Sequence, residues 1–418
     1  MKQSSIFILT IALLAFVLPS CEKDPVTPTP NNPDPVVTGD HAELWSYDLG
    51  FGSLDDITPA IDQNNNIYFT IVDPTTSEVA VFAIDEDGNE MWKTVLEGQS
   101  TGKVIFAENK IFVSTGYPTV IYCFNASNGN IDWDYNLTAD YDFFDSPRIA
   151  YANNTLYLSS GQMISGFLMA YDIQGNTKWI KEANYGFNLS VSGNALFYHD
   201  TDTLYRYNDL GSTCEFVWKV GLPEAEKLKN SRSFNTLEDL PIGADGNLYM
   251  RLDAGISIYS PNGELVKTIP LGEDYSMSYS NITLTSSNEI MIGDNDGNLV
   301  KFNNNGTREW KTDITGSFVN PYFSSAVTIA ENGDFYDAQT FGLYCVKSSG
   351  SLGWKVTAEN GGGTEHGNLH PPVLNHDGNI ISVSSEQSIL RCFKGDGKKL
   401  ASSGWPKPFG NYANTSAH

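Results

Sequence analysis

Cysteine is scarce in this chain. Cys21, Cys123, Cys214, Cys345 and Cys392 are spread over 418 residues with no two adjacent, which excludes a disulfide-dense scaffold and any disulfide between neighbouring cysteines. Basic residues are also few, 25 Lys and Arg against 50 Asp and Glu for a net charge of −25. A field of that sign repels phosphate backbones and excludes nucleic acid as a partner. Beyond the first twenty residues no apolar run reaches the roughly 20 residues of a membrane-spanning helix, and no 3.6-residue hydrophobic period is sustained. No Gly-x-Ser-x-Gly, no Cys/His pair within one segment and no phosphate-cradling glycine loop occurs, which removes the common signatures of nucleophilic and nucleotide chemistry. What is present is 40% hydrophobic residues, 12% aromatics, 37 Gly and 19 Pro: enough apolar surface for a core, in a chain that turns often.

Residues 1–20 read as a signal peptide, with Lys2 at the positive end and an apolar stretch from Ile6 to Val17. The segment Leu18-Pro19-Ser20-Cys21 resembles the lipobox of bacterial lipoproteins, and the resemblance implies that Cys21 carries the lipid. Residues 21–40, with Pro25, Pro28, Pro30, Pro33 and Pro35, form a tether that cannot bury a core and favours extended conformations. Lys23-Asp24 resembles in part the surface-export signal of Bacteroidetes lipoproteins. Loss of residues 1–20 removes Lys2 alone, leaving 24 basic against 50 acidic residues, or −26. The expected location is the outer membrane, lipid-anchored, at its periplasmic face or the cell surface.

Tryptophan sets the internal period. The eight Trp stand at 45, 92, 133, 179, 218, 310, 354 and 405, and the interval of 92 residues between Trp218 and Trp310 is two periods with one Trp missing, near Val266. A glycine precedes Trp by four residues in Gly88–Trp92, Gly129–Trp133, Gly175–Trp179, Gly306–Trp310 and Gly350–Trp354. Each period also carries short apolar runs separated by Asn, Asp and Gly, such as Asn66-Ile67-Tyr68-Phe69 and Ala80-Val81-Phe82-Ala83, which are strand signals. Four strands in a period of 40 to 50 residues predict the blade of a β-propeller. The leading-strand pattern occurs eight times, so the fold is all-β, an eight-bladed propeller of four-stranded antiparallel blades over 41–405 with a tail at 406–418. The strand at Leu44-Trp45-Ser46-Tyr47 is expected to complete the last blade, because closure removes two free edges; closure by the strand at Trp405 is the alternative.

Ala83-Ile84-Asp85-Glu86-Asp87-Gly88-Asn89-Glu90-Met91-Trp92 and Ala170-Tyr171-Asp172-Ile173-Gln174-Gly175-Asn176-Thr177-Lys178-Trp179 resemble the tryptophan-docking repeat of pyrroloquinoline-quinone-like eight-bladed propellers. In fold the chain resembles the propeller lipoproteins of the outer-membrane β-barrel assembly machinery. The resemblance implies that Trp45, Trp92, Trp133, Trp179, Trp218, Trp310 and Trp354 hold neighbouring blades together, a structural role. The quinone dehydrogenases of the family carry an adjacent Cys-Cys disulfide against the cofactor; this chain has none, so no cofactor and no quinone activity are expected. Cys123, Cys345 and Cys392 share the repeat position of Ala83 and Ala170, too far apart in different blades for disulfides, and Cys214 falls in a turn insertion.

No metal is expected. The acid-Gly turns, such as Asp85-Glu86-Asp87-Gly88 and Asp294-Asn295-Asp296-Gly297, lack the closing Glu of a twelve-residue calcium loop and suit tight hairpins. His366 and His370 are four residues apart, roughly 13 Å on an extended chain against a zinc–nitrogen bond of about 2 Å, so only a bent loop joins them.

Loops leading from each Trp strand to the next blade are long and rich in aromatics: Phe51, Tyr141, Phe143, Phe144, Tyr185, Phe187, Phe234, Tyr275, Tyr279, Phe318, Tyr322 and Phe323. Such side chains suit protein hot spots or stacking on sugars; packing between blades or in the channel is the structural alternative. The sequence therefore points to a non-enzymatic protein-binding or assembly scaffold with an envelope protein as partner. A surface glycan-binding lipoprotein and a propeller glycan hydrolase or lyase, with carboxylates drawn from distant blades, stand beside it.

Overall fold

The middle strands are mostly apolar. Ile67–Val72 and Val79–Ile84 are buried throughout, as strands covered on both faces must be. The outermost strands instead alternate, as in Glu43–Asp48 and Ile131–Asn136, where one face meets solvent. The computed structural model describes residues 40–50, 58–73, 75–141, 146–162, 165–184, 186–200, 202–222, 240–252, 255–272, 281–294, 296–314, 327–339, 342–357, 371–384 and 388–418. They form an eight-bladed propeller of antiparallel sheets taken in chain order.

Blade 1 comprises Ala60–Ile61, Ile67–Val72, Val79–Ile84 and Glu90–Leu96, from the channel outwards. Blades 2, 3, 4, 6 and 7 repeat it over 100–136, 148–183, 190–221, 283–313 and 328–357. In blade 2 the innermost strand is split into Ser100–Thr101 and Ile105–Ala107, both paired with Lys110–Gly116. In blade 5 it is reduced to the bridge between Ile242 and Leu248. Blade 8 takes its three inner strands, Val373–Leu374, Ile380–Ser384 and Ile389–Phe393, from the C-terminal end of the ring and its outermost, Glu43–Asp48, from the N-terminal end. Trp45 lies opposite Cys392 in that pairing, so the N-terminal strand closes the ring as the sequence leads one to expect.

Apolar clusters fill the spaces between blades. Tyr68, Val81 and Trp92 of blade 1 pack with Ile111, Val113 and Phe124 of blade 2, and each such side chain stabilises by roughly 1.5–3 kcal/mol when fully buried. Among the described residues no helix is long and apolar enough to cross a membrane.

The chain after Phe393 forms no further blade strand. Instead it follows the channel at the end where strands one and two of each blade are joined by tight turns. Trp405 and Leu284 exchange two backbone hydrogen bonds of 2.9 Å, and the carbonyls of Pro406, Tyr412, Ala413, Thr415 and Ser416 accept from Ile329, Ile61, Phe106, Tyr151 and Val191. Trp405 is fully buried in the cluster that includes Ile242 and Leu284. Gly404 is required there: at φ +83° a Cβ would sit 2.5 Å from the carbonyl oxygens of Leu284 and Thr285.

Candidate functional site

A β-bulge precedes the Trp in each Trp-bearing outermost strand, as between Ala83 and Ile84 opposite Trp92, and turns the indole toward the next blade. The indole N–H of Trp45, Trp92, Trp133, Trp218 and Trp310 donates to a main-chain carbonyl one blade on, at Glu86, Ala126, Ile173, Pro261 and Ser348, over 2.8–3.2 Å. Trp179 and Trp354 instead reach carboxylates, Asp209 at 2.8 Å and Asp396 at 3.0 Å. The spacing of glycine and Trp follows from this contact. Gly129 sits at φ +69° beneath the Trp92 ring, and a Cβ there would lie 2.6 Å from it.

The junction without Trp lies between blades 5 and 6. Its register position, four residues after Gly263, is Lys267, opposite Ile258, one residue beyond Val266. The Lys267 ammonium donates to the carbonyl of Asn304 at 3.2 Å, which is the acceptor position of the carbonyl junctions, two or three residues before a glycine. Ile269 covers Gly306 where an indole lies elsewhere. The four-residue spacing from Gly263 was the available signal for this lysine.

Opposite five of the seven junction Trp stands a small third-strand residue, Ala83, Cys123, Ala170, Cys345 or Cys392, whereas Trp218 and Trp310 face Arg206 and Lys301. Cys123, Cys214, Cys345 and Cys392 are free and buried. Cys214 opens the outermost strand of blade 4, Cys214–Gly221, rather than lying in a turn. Burial pushes all four thiols up to about 12, so none is an activated nucleophile.

The acidic turns spend their oxygens on themselves. Asp85 Oδ1 accepts from the main-chain N–H of Asp87 and Asn89, and Asp294, fully buried, does the same with Asp296 and Asn298 while Lys311 lies 2.9 Å away. One group of metal-ligating side chains stands out among the described residues, Asp334, Cys345 and Asp396, whose donor atoms lie within 4.8 Å of one another. Lys347 already sits 2.9 Å from Asp334 and 3.9 Å from Asp396, and Asp396 also receives Trp354 and Tyr336. A cation there would have to displace both the lysine and the blade 7–8 junction, so the cluster is accounted for as docking machinery.

Of the aromatic loop residues, two are described. Tyr141 ends the short helix Leu137–Tyr141 after blade 2, its ring 5.0 Å from Phe167. Phe187 precedes the innermost strand of blade 4, its ring 6.2 Å from His199 and its carbonyl accepting from Arg148 Nε at 3.1 Å. Both are half-buried on the blades beneath them. His199 is buried, and desolvation lowers its pKa, which suits a neutral core histidine donating Nδ1–H to the Asp200 carbonyl at 2.9 Å. Phe51, Phe143, Phe144, Tyr185, Phe234, Tyr275, Tyr279, Phe318, Tyr322, Phe323, His366, His370 and Cys21 lie outside the described residues. A small cavity between blades 2, 3 and 4 and the tail is lined by Lys103, Arg148, Leu189 and Phe409.

A family model described as outer membrane protein assembly factor BamB matches residues 36–260. Among solved structures the chain is similar to BamB from Moraxella catarrhalis, with 13% identity, a TM-score of 0.61 and coverage of 84% of this chain and 99% of that one. It is similar also to Sqt1 of Saccharomyces cerevisiae (11%, 0.59, 84% and 98%) and to apo AztD of Citrobacter koseri (11%, 0.51, 73% and 86%). At such identities the likeness is one of fold. A search of curated proteins finds no match. With just over half of its length matched by that family model and the same eight-bladed ring, the chain belongs to the outer membrane protein assembly factor BamB family of β-propellers.

Proposed function

We propose that this protein is a lipid-anchored propeller of the bacterial outer membrane, held through Cys21, that binds an envelope protein as a non-enzymatic assembly scaffold on its loop side. Family membership carries the reading, since the model that matches is described as an outer membrane protein assembly factor. The chemistry of the described residues supports it. Cys123, Cys214, Cys345 and Cys392 are buried and protonated, the acidic turns bond their own backbones, and the metal-ligating cluster among the described residues already holds Lys347. The loops from each outermost strand to the next blade carry the aromatics that suit a protein hot spot.

The test is a crosslinked pull-down of the full-length lipoprotein from its native membrane. Replacing Phe143, Phe144, Tyr275 and Tyr322 together by Ala is expected to abolish the crosslinked partner while Tm stays unchanged. Unaltered capture by this variant overturns the loop-side reading, and a Cys21→Ala chain that remains in the membrane fraction overturns the anchor.

A further inference from the structure

The innermost strand of a propeller blade has one ladder edge facing the channel, and its backbone groups must find partners there. At the turn end this edge is satisfied by the chain's own C-terminus, and the pattern is regular. Ile61, Phe106, Tyr151, Val191, Leu284 and Ile329 pair with Ile67, Ile111, Leu156, Leu196, Ile290 and Phe335, so they hold the same register position in blades 1, 2, 3, 4, 6 and 7. Each donates its N–H inward, to the carbonyls of residues 412, 413, 415, 416, 405 and 406 over 2.7–3.1 Å. Residues 405 and 406 meet blades 6 and 7, and residues 412 to 416 meet blades 1 to 4, so the tail winds round the mouth in the order of the blades.

The tail is also folded on itself. The Lys407 ammonium, fully buried, donates to the carbonyls of Pro408 and Asn411 at 3.0 Å and to Asn414 Oδ1. Gly410, Asn414 and Ser416 donate back to Lys407, Asn411 and Phe409. Side chains also anchor this body to the ring: the buried Trp405, Tyr412, stacked 4.0 Å from His376 and accepting from Leu400 N–H at 2.8 Å, and Asn414, whose Nδ2 donates to the Thr58 carbonyl at 2.7 Å. Phe409, Asn414 and Ser416 all have positive φ, between +48° and +64°. Such backbone persists only where its surroundings impose it. Each of the six blades makes only one or two backbone bonds to residues 404–418, whereas its own strands are held by full ladders.

We propose that the turn-end mouth is a binding site for a peptide segment that follows the ring of blades, filled in this structure by residues 404–418 as a self-ligand that opens as one unit while the blades stay folded. Recognition is by the ring of N–H donors, which reads backbone, and by the Trp405 pocket, which takes an indole. A ligand of this class is a looped chain segment with a buried aromatic anchor, and the exposed Ser402-Ser403 link lets the tail lift without unwinding blade 8.

Two measurements on the full chain test this. In hydrogen exchange followed by mass spectrometry, segments 404–418 and the innermost strands are expected to open together, about 100-fold more often than the middle strands Ile67–Val72 and Thr155–Gln162, as separate cooperative units do. Exchange of tail and middle strands at one common rate overturns the proposal. In the Trp405→Ala chain, a fluorescein-labelled peptide of residues 404–418 is expected to bind at least about tenfold more tightly than to wild type, a gap of about 1.4 kcal/mol. Equal or undetectable binding to both chains overturns it, and so does loss of the β-sheet circular dichroism of Trp405→Ala, which would make the tail an integral part of the ring.

Discussion

Seven of the eight blade junctions are closed by an indole, and the eighth, between blades 5 and 6, by Lys267. Five of the indoles and the lysine deliver a proton donor to the same place, a carbonyl two or three residues before a turn glycine, but differ in what surrounds it. Trp92 is 7% exposed and packs between Tyr68 and Phe124, so its bond is accompanied by a large buried ring. Lys267 is flanked by the exposed Leu265 and Val266, and the apolar cover of Gly306 falls to Ile269. The repeat conserves the geometry of the donor and allows the apolar burial to be supplied by another side chain.

The largest expected effect comes from taking the ring away. Trp92→Ala should destabilise by about 3–5 kcal/mol, as for other buried aromatics cut to Ala, whereas Lys267→Ala should cost no more than about 1 kcal/mol. Urea unfolding followed by circular dichroism measures both, and equal losses would erase the distinction between the junctions. Next comes the glycine under the ring. Gly129→Ala places a Cβ against Trp92 at positive φ and is expected to cost about 2–4 kcal/mol through strain and displacement of the indole.

How much of this was legible depends on whether a signal is local. Trp spacing, the glycine four residues earlier and the strand at Leu44 to Tyr47 were readable because each blade repeats the same contact in a short stretch of sequence. The third-strand slot of Cys123, Cys345 and Cys392 was readable for the same reason. The tail was not: its bonds to Ile61, Phe106 and Tyr151 are made by main-chain carbonyls more than 260 residues away, and backbone contacts leave no mark on residue type. Nor did residue type disclose that Asp209 and Asp396 replace carbonyls as acceptors, since both look like ordinary turn acids. Of the loop aromatics, Tyr141 and Phe187 proved half-buried on their blades, as side chains of that kind do whenever a neighbouring ring is in reach.

The carboxylate junctions give a third, smaller effect, with a pH signature that neither the carbonyl junctions nor Lys267 share. Burial acts to raise the Asp209 pKa, but donors from Tyr157, Gly211 and Trp179, with Lys178 nearby, outweigh it and hold the carboxyl below its usual range. A carboxyl with a depressed folded pKa contributes stability that is complete above its unfolded value, near 3.9, and lost as pH falls through the folded value. Trp179 fluorescence should therefore report loosening of the blade 3–4 junction below about pH 4. Asp209→Asn should cost about 1.5 kcal/mol at pH 7, in the range for hydrogen bonds to a charged group, and should flatten that acid limb. An unchanged limb would assign the acid response to other carboxylates.

The smallest effect sharpens the comparison most, because it asks whether the lysine junction is a damaged Trp junction or a different solution. Lys267→Met keeps the stem and removes the donor, leaving the Asn304 carbonyl to water; a half-exposed bond of this kind is worth about 0.5–1 kcal/mol. If the junction were merely damaged, Lys267→Trp would strengthen it. Yet a Cβ on Gly306 would meet Ile269 Cγ1 at 2.7 Å, so Ile269 already occupies the space an indole needs. Lys267→Trp alone should then gain nothing or lose about 1 kcal/mol through overpacking, while Lys267→Trp with Ile269→Thr, the residue two places beyond Trp92 and Trp310, should recover the loss. Stabilisation by the single change would mean that Ile269 yields freely, and that the junction between blades 5 and 6 is held by the shape of the ring rather than by its own contacts.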